Sequence, residues 1–88
     1  MDITKIVSDA LKLGVYSNAA VIESNQQGEF HVDFMKLLQT SPSNAEGHVV
    51  ARVVMNAAAF KSLVAAFEDA LEKYEKQAGV VVMPPRVQ

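Results

Sequence analysis

HVVARVVMNAAAFKSLVAAFEDALEKYEKQAG, residues His48–Gly79, is the stretch from which the fold follows. Its first eight residues are an almost continuous apolar run rich in Val, the pattern of a strand buried on both faces. Strict alternation sends Val49, Ala51, Val53 and Met55 to one side, and His48, Val50, Arg52 and Val54 to the other. Asn56 then stands where a helix N-cap belongs, with a side-chain oxygen suited to the open amides of a first turn. Ala59 at the third helical position excludes a capping box. Over 57–78 Phe60, Leu63, Val64, Phe67, Leu71, Tyr74 and Ala78 recur at spacings of three and four, which is one apolar helical stripe. Asp69–Lys73 and Glu72–Lys76 are acid-before-base pairs four apart, worth about 0.2–0.5 kcal/mol each. Lys73 and Lys76 suit the negative end of the helix dipole, and Gly79 suits a left-handed stop.

The rest of the chain reads as material that pairs with this strand or packs on this helix. Ile3, Ile6, Val7, Ala10, Leu11 and Leu13 lie near helical spacing before Gly14, predicting a helix of one to three turns, with an edge strand over Ile3–Val7 as the alternative. VYSNAAVIES, Val15–Ser24, reads as a strand with Tyr16 and Asn18 on the same face. Asn25-Gln26-Gln27-Gly28 is short, polar and ends in Gly, so it predicts a hairpin. EFHVDF, Glu29–Phe34, alternates cleanly, with Phe30, Val32 and Phe34 inward and Glu29, His31 and Asp33 outward. That strand is expected to fade through Met35–Leu38. Gln39–Gly47, QTSPSNAEG, reads as a turn-rich connector because Pro42 cannot donate to a ladder. VVVMPP predicts a brief tail strand ended by Pro84-Pro85, with Arg86–Gln88 frayed.

The expected architecture is α+β in one domain. An N-terminal segment, 1–14, with a short helix precedes an antiparallel meander of three to four strands over 15–55. The long C-terminal helix, 57–78, packs on one face of that sheet, and 79–88 form a tail.

Composition narrows the function classes. The chain has 88 residues, half of them hydrophobic, a formal charge of −2 and no Cys. At this length a self-sufficient core is near its lower limit. The apolar content exceeds what one helix on one small sheet can cover, so a second chain is the natural cover. Without Cys there is no disulfide framework, thiolate nucleophile or Cys-based zinc site. The acidic balance argues against nucleic acid as a partner. No apolar run approaches a membrane span and MDITKIVSDALK is too charged for a signal peptide, so a cytoplasmic setting is expected.

In combination, GVYSNAAVI, EFHVDF, ARVVM leading straight into a helix, and KYEKQAG resemble the family called domain of unknown function 3467. The family pattern falls on Tyr16, Ser17 and Asn18; on Glu29, Phe30, Asp33 and Phe34; on Arg52, Val53 and Met55; and on Lys73, Tyr74, Glu75 and Gly79. The likeness covers about Gly14 to Val81. It departs at Asn56-Ala57, where the family commonly has Ser/Thr-Pro. That family has no activity to carry over, so the resemblance implies architecture alone. The succession of antiparallel strands and a long helix is also similar in topology to the Sec-pathway export chaperone, an oligomer that binds unfolded chains. That likeness is one of fold only.

His31, Asp33, His48 and Arg52 are the polar side chains that a sheet of this order can gather. Two His and a carboxylate would make a metal or acid–base site. A cross-strand Asp33–Arg52 ion pair beside two ordinary histidines is the plainer interpretation, and the unfixed strand register favours it over a built ligand set. Tyr16 and Asn18 suit a grip on a peptide or a base; structurally, Tyr is a core residue with a polar tip and Asn ties a backbone group. No nucleophile elbow or Gly-rich phosphate loop is present. The expected function is thus a non-enzymatic, homo-oligomeric module without cofactor or metal, adaptor- or chaperone-like in binding protein. Its expected surface is Tyr16, Asn18, His31, Asp33, Val50, Arg52 and Val54. The alternative is a binder of single-stranded nucleic acid or a nucleotide through a sheet carrying Tyr16, Phe30 and Arg52.

Overall fold

The computed structural model describes residues 1–83. Its strands are β1 (Ala19–Ser24), β2 (Glu29–Ser41) and β3 (Asn44–Asn56), followed by one helix, α1 (Ala57–Ala78). The strands form an antiparallel meander in the order β1-β2-β3. The α+β architecture and the C-terminal helix are as the sequence pattern predicts.

The first hairpin is built by one side chain. Asn25 Oδ1 accepts from the amides of Gln27 at 3.0 Å and Glu29 at 3.1 Å, a turn that a short polar side chain makes in place of backbone. This sets the register of Ser24 opposite Phe30 and Ala19 opposite Met35.

The second hairpin differs from expectation. Gln39–Gly47 is not a connector: β2 continues to Ser41 and β3 starts at Asn44, leaving only Pro42 and Ser43 in the turn. Pro42 sits at the tip, where its missing donor costs nothing, and Asn44 Nδ2 donates to Ser41 Oγ at 3.1 Å across the turn. Gly47 is a strand residue opposite Leu37, and a Cβ there would meet Met35 Sδ at 2.9 Å. Glycine lets the Met35 side chain lie across β3.

Three other boundaries are corrected. β1 begins at Ala19, four residues later than expected, because Ser17 and Asn18 bond to β2 through their side chains instead. The N-terminal segment forms a single 3-10 turn, Asp9–Leu11, whose Ser8 makes no side-chain cap bond. Val80–Met83 form no strand; the Val81 amide donates to Glu75 Oε2 at 2.8 Å, so a helix side chain takes the donor a ladder would need. The Pro84-Pro85 stop and the frayed end lie outside the described residues.

α1 is capped as its sequence predicts. Asn56 Oδ1 accepts from the Ala59 amide at 2.8 Å, and Gly79, at φ 91°, donates to the Glu75 carbonyl at 2.9 Å. Both acid–base pairs form, Asp69–Lys73 at 3.0 Å and Glu72–Lys76 at 3.2 Å. Asn56 ends β3 and caps α1 at once, so no connector lies between strand and helix. The helix meets the sheet at its first turns, where the Phe60 ring stacks on Phe30 with centroids 4.2 Å apart. Beyond that anchor the stripe is open: Val64, Phe67, Leu71 and Tyr74 are all exposed, and no residue of α1 is buried. Among the described residues the buried apolar side chains are Val32 and Met35, at 3% and 9% exposure.

Candidate functional site

Antiparallel register places Asp33 directly opposite Arg52, the cross-strand pairing that the sequence allowed. The guanidinium grips the carboxylate with both arms, Nε to Oδ1 at 2.6 Å and Nη2 to Oδ2 at 2.9 Å. These hydrogen bonds hold the Asp33 carboxyl below the usual carboxylate range, with the charges of Arg52 and His31 acting the same way and desolvation opposing them. The Asp33 bonds likewise raise Arg52 above its ordinary value.

A depressed carboxyl contributes stability that is complete above its unfolded value, about 4, and is lost as pH falls through the folded value. Asp33→Asn should therefore unfold at lower urea at pH 7 and show a shallower further loss below about pH 4. Urea midpoints of both proteins across that range test this. Parallel acid limbs would mean that the pair contributes nothing to folding.

His48 does not join this pair. β3 carries an extra residue, Val50, at the register shift between Phe34 and Met35, which breaks the alternation that would have set His48 on the face of Arg52. His48 lies opposite Lys36, and its Nε2 is 3.1 Å from Glu46 Oε2. His31 lies opposite Val54 and Glu23. Among the described residues no three His, Asp or Glu side chains come together as a metal site would require.

Asn18 works on the backbone. Its Oδ1 accepts from the Leu37 amide at 2.8 Å and its Nδ2 donates to the Leu37 carbonyl at 3.4 Å, in place of the strand residue that β1 lacks there. Ser17 Oγ lies 2.9 Å from the carbonyls of both Met35 and Ala19, which share its single proton. Tyr16 precedes β1 and is exposed, so it shares no strand face with Asn18. Tyr16, Phe30 and Arg52 do not form a common platform. Phe30 stacks on Phe60, while Arg52 pairs with Asp33, whose side chain points to the opposite face of β2 from Phe30. Val50 and Val54 are both exposed on β3.

Two hollows remain. One of about 120 Å³ between Glu23, Ser24, Asn25 and His31 is below the size of ligand pockets. The other, about 430 Å³, is an apolar groove at the foot of α1 lined by Phe30, Ala57, Phe60, Lys61, Val64, Ala65 and Glu68. Of this lining, sequence periodicity placed Phe60 and Val64 on the stripe expected to pack on the sheet. The sign that the groove stands open was the absence of any residue between the end of β3 and the N-cap, since a helix needs a connector to turn back along its sheet.

A family model described as Protein of unknown function (DUF3467) matches residues 3–83. The chain belongs to this family. Comparison with curated proteins and with solved structures gives no match. The DUF3467 match includes the N-terminal segment as well as the sheet and α1, so it extends the resemblance seen from Gly14 to Val81 in both directions. None of the described helices is long and apolar enough to cross a membrane.

Proposed function

We propose that this DUF3467 protein is a non-enzymatic interaction module that works as a homodimer or higher even oligomer, with other proteins as further partners in the manner of an adaptor. The observation that carries this reading is uncovered surface, on which large apolar side chains such as Val64, Phe67, Leu71 and Tyr74 stand exposed. The chain exposes 7945 Å², against roughly 5,000 Å² for a compact protein of 9.5 kDa. Its radius of gyration is 15.6 Å, where about 12 Å is the norm for 88 residues. Standard interfaces remove about 800 Å² per partner, so the excess is ample for one. The polar side chains of the sheet support a binding role over catalysis, because they satisfy one another: Asp33 with Arg52, and Asn18 and Ser17 with β2 backbone. The cytoplasm is the setting we propose for it.

Light scattering coupled to size exclusion tests the proposal. The expected mass at low micromolar concentration is twice 9.5 kDa or a higher even multiple. A monomer mass would overturn it and make the N-terminal segment, with Ile3, Ile6, Val7 and Leu11 exposed, the cover for the open stripe.

A further inference from the structure

Resting on that oligomeric reading, we infer that α1 is itself the interface and pairs antiparallel with α1 of a second copy, about a two-fold axis near Phe67 and Glu68. The first ground is spacing. Phe60, Val64, Phe67, Leu71, Tyr74 and Ala78 follow one another at intervals of four, three, four, three and four. That is an uninterrupted heptad seam, narrower and more regular than a helix needs to lie on a sheet. Phe60 is occupied by Phe30, and the next four members stand open to solvent, with Phe67 56% and Tyr74 58% exposed.

The flanks choose the direction. On one side of the seam stand Lys61, Glu68 and Glu75; on the other stand Leu63, Ala70 and Gln77. A parallel pair brings unlike flanks together, so each charge would face Leu, Ala or Gln. An antiparallel pair brings like flanks together and sets Lys61 of each copy against Glu75 of the other, two unlike pairs on either side of a single Glu68–Glu68 contact at the axis. The same arrangement matches the apolar positions. Centred near Phe67 and Glu68, it places Val64 near Leu71 of its mate and Phe67 near its own copy.

The groove supplies a third ground. Its walls include Lys61, Val64 and Glu68, which lie on the seam or on its charged flank, and it ends on Phe30 and Phe60. In an antiparallel pair this is where the C-terminal part of the mate's stripe, Leu71 and Tyr74, arrives. The groove of about 430 Å³ is thus an unfilled half of a packed interface, repeated once at each end of the helix pair.

Because the chain has no Cys, single substitutions give unique labelling sites. Ser62→Cys, Asp69→Cys and Lys76→Cys lie seven residues apart on the outer face of α1, away from the seam. With a rise of 1.5 Å per residue and the axis at Glu68, the two copies of position 69 lie about 3 Å apart along the helix, those of 62 about 18 Å and those of 76 about 24 Å. Spin-label distances measured on the full chain should therefore be shortest at 69 and longer at both 62 and 76. Phe67→Asp, at a side chain that is exposed in the protomer, should give a monomer with its helical circular dichroism kept. Equal distances at all three sites, a steady trend from 62 to 76, or a Phe67→Asp protein that stays dimeric would overturn the helix pairing while leaving the homo-oligomer in place. A monomeric parent protein overturns both.

Discussion

Met35→Ala is expected to lower stability by about 2–5 kcal/mol, the range for removing a buried Met side chain. In a domain whose total is of the order of 5–15 kcal/mol, that is a large fraction of the whole. The size follows from position. Met35 lies between Ala19 of β1 and Val49 of β3, at the register shift, and its side chain lies across Gly47. Its carbonyl accepts from the Asn18 amide at 3.1 Å and from Ser17 Oγ. Truncating it empties one of the two buried positions of the described chain at the point where all three strands meet. Urea denaturation at one fixed protein concentration measures the loss, since self-association adds concentration-dependent stability. A change below about 1 kcal/mol, the size of an ordinary surface-to-intermediate substitution, would show that the core lies elsewhere.

Phe60→Ala is expected to cost about 2 kcal/mol. A half-buried Phe forgoes part of the roughly 1.5–3 kcal/mol of full burial, and the stacked pair adds about 0.5–1.5 kcal/mol beyond area. Phe60 on Phe30 is the aromatic contact by which α1 rests on the sheet. Its loss should therefore leave the Asn56 cap and the helix in place while freeing the direction in which the helix leaves the sheet. A double-mutant cycle with Phe30→Ala isolates the pair, and a coupling near zero would mean that the rings are neighbours without mutual stabilisation. Amide exchange should separate the two substitutions: Met35→Ala exposes all three strands, whereas Phe60→Ala exposes chiefly the β3–α1 corner.

Much of this architecture is written in local chemistry. The Asn25 turn, the Asn56 cap, the Gly79 stop and the stripe from Phe60 to Tyr74 depend on residues within a few positions of one another, so periodicity and capping rules suffice to place them. The Asp33–Arg52 pair was legible as a candidate because neighbouring antiparallel strands carry charges of opposite sign, while its register was settled only by the β2–β3 pairing. What local pattern did not reach is governed by contacts far apart in sequence. Gln39–Gly47 carries Pro, Ser, Asn and Gly, the composition of a loop, yet all but Pro42 and Ser43 lie in strands because β2 and β3 complete one another's hydrogen bonds. The extra residue at Val50 separates His48 from Arg52, and a bulge is defined only by two strands pairing, so neither strand displays it alone. Val15–Asn18 reads as strand from its Val and Tyr, but the Asn18 and Ser17 side chains satisfy β2 there instead. The apolar periodicity of α1 says that one face seeks cover and is silent on what provides it. Only the tertiary structure, with strand and helix joined without a connector, shows that the sheet covers Phe60 and leaves Val64 to Tyr74 open.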